Sequence, residues 1–359
     1  SQLKGHILMR NCFGQNKILF FFSLGFLLFY ACFVFFMHTP WYTAAQFKFA
    51  YHNHNTAILM RTIDLESVVS NGYDDVTCDL FIYNSNIQPK TKQTFEQFYK
   101  LIKKDICDGT LVMIDRYLKD NVWHEPTGTS VLKGREMGID YDELLERSML
   151  RNTSIKGIGS LSKDDNGNYI LPVTVADRYT DTDFVINLLL QRNTEGIWKI
   201  TKIINYRNYL EHVRNLYNAD ITTYINDTKA QTAEYNRTFQ GIQLKFQAMT
   251  KPIGANISND QRAQIQKFIL SEVIPAYTSH ENYLQNVNVP PGASHLHMLR
   301  LQSNSKTIEA WKYFAEGIGK DSKDDLSKAE CSHQEALVLE QKVSDIMNKM
   351  PALFVPEIP

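Results

Sequence analysis

The amino-acid sequence lacks the short motifs that identify the common enzyme classes. It contains no glycine-rich phosphate loop, no Gly-x-Ser-x-Gly nucleophile motif, no His-Glu-x-x-His zinc motif and no Cys-x-x-Cys pair. It has no block of five or more like charges, and its 38 Lys and Arg residues offset 39 Asp and Glu residues to a formal charge of -1. These absences predict that the protein is not an enzyme of a standard class, has no cofactor and does not bind nucleic acid.

Cysteine is scarce as well. The chain has 5 cysteines, and an odd number cannot all pair internally. Cys12 and Cys32 lie before or inside a long apolar run, which leaves Cys78, Cys107 and Cys331 in the rest of the chain. A disulfide between Cys78 and Cys107 would fit an oxidising compartment, but the sequence gives no Cα–Cα distance, and three unpaired thiols fit equally well.

The longest apolar run is Ile18–Met37, and it contains no charged residue. As a helix, about twenty residues at roughly 1.5 Å per residue span about 30 Å, the thickness of the hydrocarbon core of a bilayer. Large apolar side chains occur on every helical face and leave no polar stripe for water. The run therefore predicts a single transmembrane helix over residues 18–37 that contacts the lipid bilayer.

The residues that flank this run predict its orientation. Lys4, Arg10 and Lys17 precede it without an acidic residue, while Trp41 lies just beyond it. Because cytoplasmic flanks are enriched in Lys and Arg, residues 1–17 are predicted to be cytoplasmic and the rest extracytoplasmic, on a plasma or inner membrane. A cleaved secretory signal is the alternative. The run is longer than the apolar region of a typical signal, however, and it ends in bulky residues rather than at a small-residue cleavage site.

Beyond the apolar run the pattern predicts helices followed by strands. Two short helices follow Pro40, and a third covers Thr91–Leu118, with a bend or interruption at Gly109. Alternating apolar residues then predict an antiparallel meander with a fourth strand that enters it through a turn at Lys163–Gly167. The fold class is therefore α+β. The predicted strands cover residues 155–161, 171–175, 184–190 and 197–204.

Residues 219–350 return to helical periodicity. The helices predicted there cover about Asp220–Met249, Asn259–Leu284, His295–Ile318 and Leu326–Met350. The second helix is predicted to be capped at Asn259 or Asp260 and kinked at Pro275. The set predicts a four-helix bundle or a pair of long helical hairpins, followed by a tail over residues 351–359.

Part of the chain resembles a known bacterial family. The motifs that carry the resemblance are Thr39–Tyr42 (TPWY), Thr62–Leu65 (TIDL), Tyr73–Val76 (YDDV) and Glu195–Ile203 (EGIWKITKI). They are similar to motifs of membrane-anchored or lipid-anchored extracytoplasmic proteins of unassigned function. In that family the domain is similar to the nuclear-transport-factor-two and ketosteroid-isomerase cone, also called cystatin-like.

The resemblance covers about residues 39–213, and its motifs are loose. One departure is the turn before Trp198, which reads Thr-Glu-Gly-Ile-Trp, where the family more often has Asp-Gly directly ahead of a variable residue and Trp. The resemblance implies a cone-shaped α+β domain over residues 39–213 and an extracytoplasmic location. It implies no established chemistry.

Three aspartates are candidates for chemistry. Asp177, Asp181 and Asp183 cluster at a predicted turn between strands. A solvated turn is favoured over a catalytic carboxylate pair, because a general base needs burial and neighbours that tune its pKa. The same loop also lacks the glycine and the distal glutamate of a dedicated calcium loop. No catalytic or metal-binding residue is therefore assigned to it.

Two histidine pairs are candidates for a metal site. His52 and His54 are two residues apart, and so are His295 and His297. That spacing points the two side chains of a pair in opposite directions on a helix, which disfavours a shared metal ion. On an extended segment the same spacing would allow zinc. No metal is therefore predicted.

The sequence favours binding over catalysis. The apolar stripes of the C-terminal helices are suited to pack against each other, against a protein partner or against a second copy of the chain. The prediction is a membrane-anchored extracytoplasmic binding or scaffold protein, an accessory or structural subunit of an envelope or membrane assembly. Trp123, Trp198 and Trp311 are predicted to be packing residues. The alternative is a small-molecule-binding or isomerase-like or hydrolase-like cone, with a buried Asp, His or Tyr in its cavity.

Overall fold

The computed structural model describes residues 22–82, 89–124, 132, 135–136, 141–251 and 257–347. Within these ranges the fold is α+β, as predicted, because helices precede one antiparallel sheet and further helices follow it. The helices are α1 Phe22–Met37, α2 Pro40–His52, α3 Thr56–Thr62, α4 Leu65–Ile82, α5 Pro89–Asp120, α6 Tyr141–Arg147, α7 Tyr206–Thr250, α8 Asn259–Phe268, α9 Ile274–Asn286, α10 Ser294–Lys320 and α11 Lys323–Met347. The strands are β1 Thr153–Ile158, β2 Ser162–Lys163, β3 Tyr169–Asp177, β4 Asp183–Arg192 and β5 Trp198–Ile203.

The apolar run predicted to cross a membrane is described from residue 22 onward. No single helix in the described part of the chain is both long enough and apolar enough for a membrane span; α1 and α2, which meet at a bend of 76°, satisfy the criterion only as a pair. The predicted cytoplasmic segment 1–17, the first residues of the predicted span and the tail 351–359 lie outside the described residues.

Helices α2 and α3 confirm the two short helices predicted after Pro40. At the start of α2 the Tyr42 N–H donates to the Thr39 hydroxyl. Pro40 occupies the first turn, where it is tolerated because the N–H it lacks would have no partner within the helix. At the start of α3 the Ile58 N–H donates to the Asn55 side chain. Both helices therefore begin at side chains suited to cap them.

Helix α4 is not predicted by the apolar periodicity. The Asp64 carboxylate accepts a hydrogen bond from the Ser67 N–H at 3.2 Å and caps its first turn. Its buried positions are few, among them Tyr73 and Val76, which are 7% and 6% exposed. The helix is stabilised by these tertiary contacts more than by a continuous apolar stripe.

Helix α5 confirms the third predicted helix, but the predicted interruption at Gly109 is wrong. The helix runs through Gly109 without a break, and the ring of Tyr141 packs on that position. A Cβ added at Gly109 would lie 2.6 Å from Tyr141 Cε1. The glycine thus provides room for a neighbouring helix and does not act as a hinge.

The sheet has the strand order β1-β3-β4-β5, and β2 pairs with β3. Strands β3, β4 and β5 confirm the predicted meander. The predicted fourth strand is divided into β1 and β2, because the pairing shifts at Gly157 and because Gly159 lies against Pro172, where a Cβ would come within 2.8 Å of its Cγ. The hairpin turn that follows contains Gly167 at φ 84°, as its Asn-Gly sequence predicts.

One face of the sheet forms the core of this part of the fold. Leu171 pairs with Leu188, Val173 with Ile186 and Val175 with Phe184, so the apolar alternation of the two strands falls on a single face, as predicted. Side chains of α2, α4 and α7 cover this face. The buried residues of the core are Ala44, Phe47, Val76, Met149, Leu161, Leu171, Val173, Val175, Leu188, Leu190, Ile200, Tyr206, Tyr209, Leu210 and Val213.

Helix α7 begins earlier than predicted. It starts at Tyr206, directly after β5, and continues for 45 residues to Thr250, whereas the sequence predicts a start near Asp220. At about 1.5 Å per residue it is roughly 68 Å long. The boundary predicted between residues 213 and 219 lies inside this helix, so one continuous element belongs to both the sheet region and the C-terminal helices.

The C-terminal helices follow the predicted order, but the second predicted helix is divided into α8 and α9 and begins at a different cap. The cap of α8 is Ser258, which forms a reciprocal capping box with Gln261, instead of Asn259 or Asp260. At Pro275 the predicted kink takes the form of a π-helical turn over Ile269–Val273 just before the proline. A proline cannot donate to the preceding turn, and a wider turn relieves the clash of its ring with the backbone.

Helices α10 and α11 form an antiparallel hairpin. A short 3-10 turn, Pro291–Ala293, leads into α10, and Asp321 in the left-handed region, at φ 54°, ends it. A Cβ at Gly317 would lie 2.8 Å from Leu326 Cγ, so the two helices are in close contact at this end. Helix α10 packs against α8, α9 and α11 and is the central helix of the C-terminal region.

The two helix-interior glycines Gly109 and Gly241 allow a matched test of this packing. Gly109→Ala should lower the free energy of unfolding by about 1 kcal/mol, because overpacking typically costs about 1–3 kcal/mol and exceeds a helix-propensity gain of about 1 kcal/mol. Gly241→Ala should raise it by up to about 1 kcal/mol, since a Cβ there has no neighbour within 4 Å. Urea denaturation followed by circular dichroism measures both. Stabilisation by Gly109→Ala would contradict the packing of Tyr141 described above.

Candidate functional site

Helix α1 presents an exposed apolar surface on all sides. All its residues except Val34 are exposed, and the exposed fractions of Phe22, Phe29 and Phe35 are 76%, 71% and 77%. Helices that are apolar on all sides are typically buried in a protein core or in a membrane. It joins the folded part of the chain through Thr39 and α2.

A buried polar cluster lies where the sheet, α7 and α10 meet, and we call it the junction cluster. Its residues come from four separate parts of the chain: the end of α6 and the segment after it, the end of β3 and the turn after it, the first third of α7 and the start of α10. They are Glu146, Arg151, Asp177, Tyr179, Thr180, Tyr217 and His295.

Asp177 is the most buried carboxylate of this cluster, with an exposed fraction of 0%. One carboxylate oxygen accepts a short hydrogen bond from the Tyr217 hydroxyl. The other accepts from the N–H and the hydroxyl of Thr180, both at 2.8 Å. The prediction that Asp177 belongs to a solvated turn is therefore wrong, because the end of β3 is covered by α7. A carboxylate that accepts three hydrogen bonds from its own chain is held in place as an acceptor and is poorly placed to act as a general base.

Glu146 is the second carboxylate of the junction cluster and is 4% exposed. Its Oε2 atom accepts a hydrogen bond from Arg151 Nη2 at 3.0 Å, and its Oε1 atom lies 3.5 Å from His295 Nδ1. Burial and the neighbouring Glu146 carboxylate raise the pKa of Tyr179 to about 12. Glu146 thus connects the turn after α6 with the first turn of α10.

Tyr217 connects the same region to the first third of α7. Burial, and then its hydrogen bond to Asp177, raises the pKa of Tyr217 far above that of a free tyrosine, so the hydroxyl remains a donor at all physiological pH values. One turn further along α7, Asp220 accepts a hydrogen bond from the Gly292 N–H at 2.7 Å. A Cβ at Gly292 would lie 2.9 Å from Tyr217 Cα, so the turn before α10 is in direct contact with α7.

The other two candidate aspartates remain at the surface. The Asp181 side chain is 79% exposed and its carboxylate accepts from Lys156 Nζ at 2.7 Å, and Asp183 is exposed as well. The three aspartates therefore do not form a carboxylate pair or a shared loop site. In the described part of the chain, no group of three or more His, Cys, Asp or Glu residues is placed to hold a metal ion.

The histidine pairs also separate. His52 is exposed at the end of α2, and His54 follows it in the left-handed region at φ 52°. On α10, His295 faces Glu146, whereas His297 faces Tyr224 of α7. The helical geometry thus directs the second pair to different neighbours, as the spacing predicts.

The remaining candidate residues have packing roles. Cys78 and Cys107, whose pairing the sequence leaves open, are both unpaired thiols, and burial raises the pKa of Cys107 to about 11. Trp123, Trp198 and Trp311 each pack against a separate apolar cluster, which confirms their predicted role. The ring of Trp123 stacks on Tyr117 with 4.3 Å between centroids.

A second polar cluster lies among α7, α9 and α10, and we call it the bundle cluster. Arg300 donates through Nη1 to the Tyr224 hydroxyl at 3.0 Å and to Thr228 at 3.3 Å, and through Nη2 to Thr232 at 2.9 Å. The Tyr224 hydroxyl also bonds to His297 Nδ1 at 2.9 Å. The members of the bundle cluster are Tyr224, Thr228, Thr232, His280, His297, Arg300 and Asn304.

Neither cluster is marked as a whole by a pattern in the sequence. The junction cluster combines residues from distant parts of the chain, so no local motif marks it. The bundle cluster does carry a local signal: Tyr224, Thr228 and Thr232 repeat every four residues along α7 and therefore form a stripe of hydroxyl groups on one face. His297 and Arg300, three residues apart, likewise share a face of α10.

Comparisons with known proteins give no further assignment: no family model, no curated protein and no solved structure matches this chain.

The hydrogen bond between Tyr217 and Asp177 provides the test of the junction cluster. Tyr217→Phe should lower the free energy of unfolding by about 1–3 kcal/mol, because it leaves a buried carboxylate without one of its donors. The matched control is Tyr169→Phe, whose hydroxyl makes no hydrogen bond to a described residue and which should change stability little. Urea denaturation measures both variants. Equal effects of the two substitutions would show that the Tyr217 hydroxyl does not stabilise this junction.

Proposed function

We propose that the chain is a membrane-tethered binding or scaffold protein, anchored by one apolar helix and associating with a protein partner or with a second copy through its C-terminal helices. In this proposal the anchor covers residues 18–37, residues 1–17 are cytoplasmic and the folded part lies outside the cytoplasm. The observation that carries the proposal is the exposure of α1, an apolar helix joined directly to a well-packed fold. A lipid bilayer is the medium that stabilises such a surface.

The residues just beyond α1 support a membrane interface at this place. Trp41 and Phe49 on α2 are 51% and 56% exposed. Aromatic side chains are enriched at the boundary between lipid and water, where their rings contact both. On the opposite side of α2, Phe47 is 4% exposed and packs on the sheet core. Helix α2 is therefore suited to link an anchor to the sheet.

The continuity of α7 supports a scaffold role. This helix leaves the sheet at Tyr206 and reaches Thr250 among the C-terminal helices. On the way Tyr217 bonds to Asp177 at the end of β3, and Asp220 accepts from the Gly292 N–H just before α10. A continuous helix that is held at several points restricts the motion of the C-terminal helices relative to the sheet. Such an arrangement is suited to a scaffold that holds its C-terminal helices away from an anchor.

The packing of the sheet favours binding over the alternative of a catalytic cone. The apolar face of the sheet is covered by Tyr206, Tyr209, Leu210 and Val213 of α7, all 8% exposed or less. The buried acidic residue nearest to this face, Asp177, uses its oxygens to accept bonds from Tyr217 and Thr180. The chain's own side chains thus occupy the places that a substrate and a general base would need.

The anchor is tested by placing charge in α1. Leu27→Arg combined with Leu28→Arg should release the protein from the membrane fraction, because each arginine at the centre of a span costs about 2.5–3.5 kcal/mol. The matched control is Leu244→Arg combined with Leu270→Arg, two leucines that are similarly exposed, at 66% and 54%, on the C-terminal helices. Alkaline carbonate extraction of membranes measures the distribution. Retention of the α1 variant in the membrane fraction would overturn the anchor.

Association is tested by the mass of the protein after gentle detergent extraction. Light scattering should give a protein mass well above the 41.4 kDa of one chain, from a second copy or a copurifying protein. Leu244→Asp combined with Val338→Asp should reduce this mass, because both side chains are exposed on the C-terminal helices. Leu101→Asp, at a leucine that is 74% exposed on α5, should not. A single chain without a partner, or an equal effect of Leu101→Asp, would contradict association through the C-terminal helices.

A further inference from the structure

Arg300 is a positive charge held by neutral groups. Its hydrogen bonds in the described part of the chain go to the hydroxyls of Tyr224, Thr228 and Thr232, and no carboxylate of that part lies within ion-pair distance of it. Tyr224 is fully buried, at 0% exposed, and Arg300 is half-buried. A partly desolvated charge is costly unless an opposite charge accompanies it. The described neighbours of Arg300 hold its charge in place but do not neutralise it.

The geometry of the guanidinium leaves donors for an anion. The guanidinium has five N–H groups. Three of them, two on Nη1 and one on Nη2, donate to hydroxyl oxygens, whereas the Nε N–H makes no hydrogen bond to a described residue. Nε is also not among the polar atoms sealed from solvent. The three hydroxyls hold the group in one orientation, which leaves its remaining edge accessible. A fixed guanidinium edge matches the paired oxygens of a carboxylate or a phosphate.

The neighbouring histidines do not supply a competing charge. Burial, and then the nearby Arg300, lowers the pKa of His297; burial and Arg300 also lower the pKa of His280, partly offset by its hydrogen bond with Asn304. Both rings are therefore neutral at neutral pH. Because the Tyr224 hydroxyl accepts from Arg300, its own proton is directed to His297 Nδ1. The Nε2 atom of His280 is buried and has no hydrogen-bond partner in the described part of the chain.

Aromatic rings border this group of polar side chains. The ring centroid of Tyr235 lies 4.7 Å from that of His280 and 5.7 Å from that of Tyr283. Phe239 stacks on Tyr277, with 4.1 Å between centroids. Tyr235 and Tyr283 are both partly exposed and lie beside the polar group at the contact of α7 with α9. They offer an apolar and aromatic surface next to a single fixed cation, a combination typical of small-molecule sites.

We propose that the bundle cluster binds a small ligand through an oxyanion group, a carboxylate or a phosphate, which pairs with Arg300 while an apolar part of the ligand contacts Tyr235 and Tyr283. This site is separate from the membrane anchor and from the association proposed above, and it does not depend on either. The ligand supplies the negative charge that the described residues around Arg300 lack.

The test is calorimetric titration of the full chain in detergent micelles with two probes, inorganic phosphate and benzoate. We expect one of them or both to bind with one site per chain: benzoate alone identifies a carboxylate with an aromatic body, phosphate alone a phosphate group, and both a general oxyanion site. Arg300→Met should weaken binding at least about tenfold, because a charge-assisted hydrogen bond contributes more than a neutral one.

Two further variants keep the test decisive. Arg300→Lys retains the charge but not the two-donor edge, so it should bind the probe more weakly than the wild type. This variant provides the test if Arg300→Met does not fold. Arg262→Met is the matched control, since that arginine already pairs with Asp321, and it should bind the probe as the wild type does. Absence of binding of both probes to the wild type, or unchanged binding by the folded Arg300 variants, would overturn the site.

Discussion

The hydrogen bond from Tyr217 to Asp177 determines how the sheet and the C-terminal helices are joined. Asp177 is the last residue of β3, and Tyr217 lies three turns into α7. The bond therefore fixes both the direction in which α7 leaves the sheet and the way the end of β3 is closed. Three residues further along α7, Asp220 accepts from the Gly292 N–H at 2.7 Å, and Gly292 can lie against the Tyr217 backbone because it has no side chain. The same short stretch of α7 therefore contacts both the end of β3 and the turn before α10.

The parts of the fold with a regular period follow directly from the sequence. The alternation in β3 and β4 predicts their common apolar face. The turn residues Asn166 and Gly167 predict the hairpin that joins β2 to β3. Helix α4 and the first fourteen residues of α7 escape the prediction for a physical reason. Their stability comes from tertiary contacts, with α5 and α6 for Tyr73 of α4 and with the sheet for Tyr209 of α7. Such contacts leave only scattered buried positions in the sequence.

The role of a glycine is also hard to predict from the local sequence alone. A glycine inside a helical pattern indicates an interruption when only the local chain is considered, as at Gly109. Its actual role depends on what lies beside it, since Tyr141 occupies the space that a side chain would take. The two polar clusters illustrate the same point. Asp177 reads as a turn residue because the sequence does not show that a helix forty residues later covers it.

The accessibility of the polar groups separates the two clusters by role. In the junction cluster Glu146 is paired with Arg151, and Asp177, which is 0% exposed, accepts three hydrogen bonds from Thr180 and Tyr217, so this cluster is suited to hold elements together. In the bundle cluster Arg300 is held by three hydroxyl groups through its Nη atoms, whereas its Nε atom makes no hydrogen bond to a described residue and is not sealed from solvent. A buried carboxylate whose oxygens are all engaged has no capacity left for a ligand, whereas an accessible guanidinium edge has. This accessible edge favours the bundle cluster over the junction cluster as the site of the ligand proposed above.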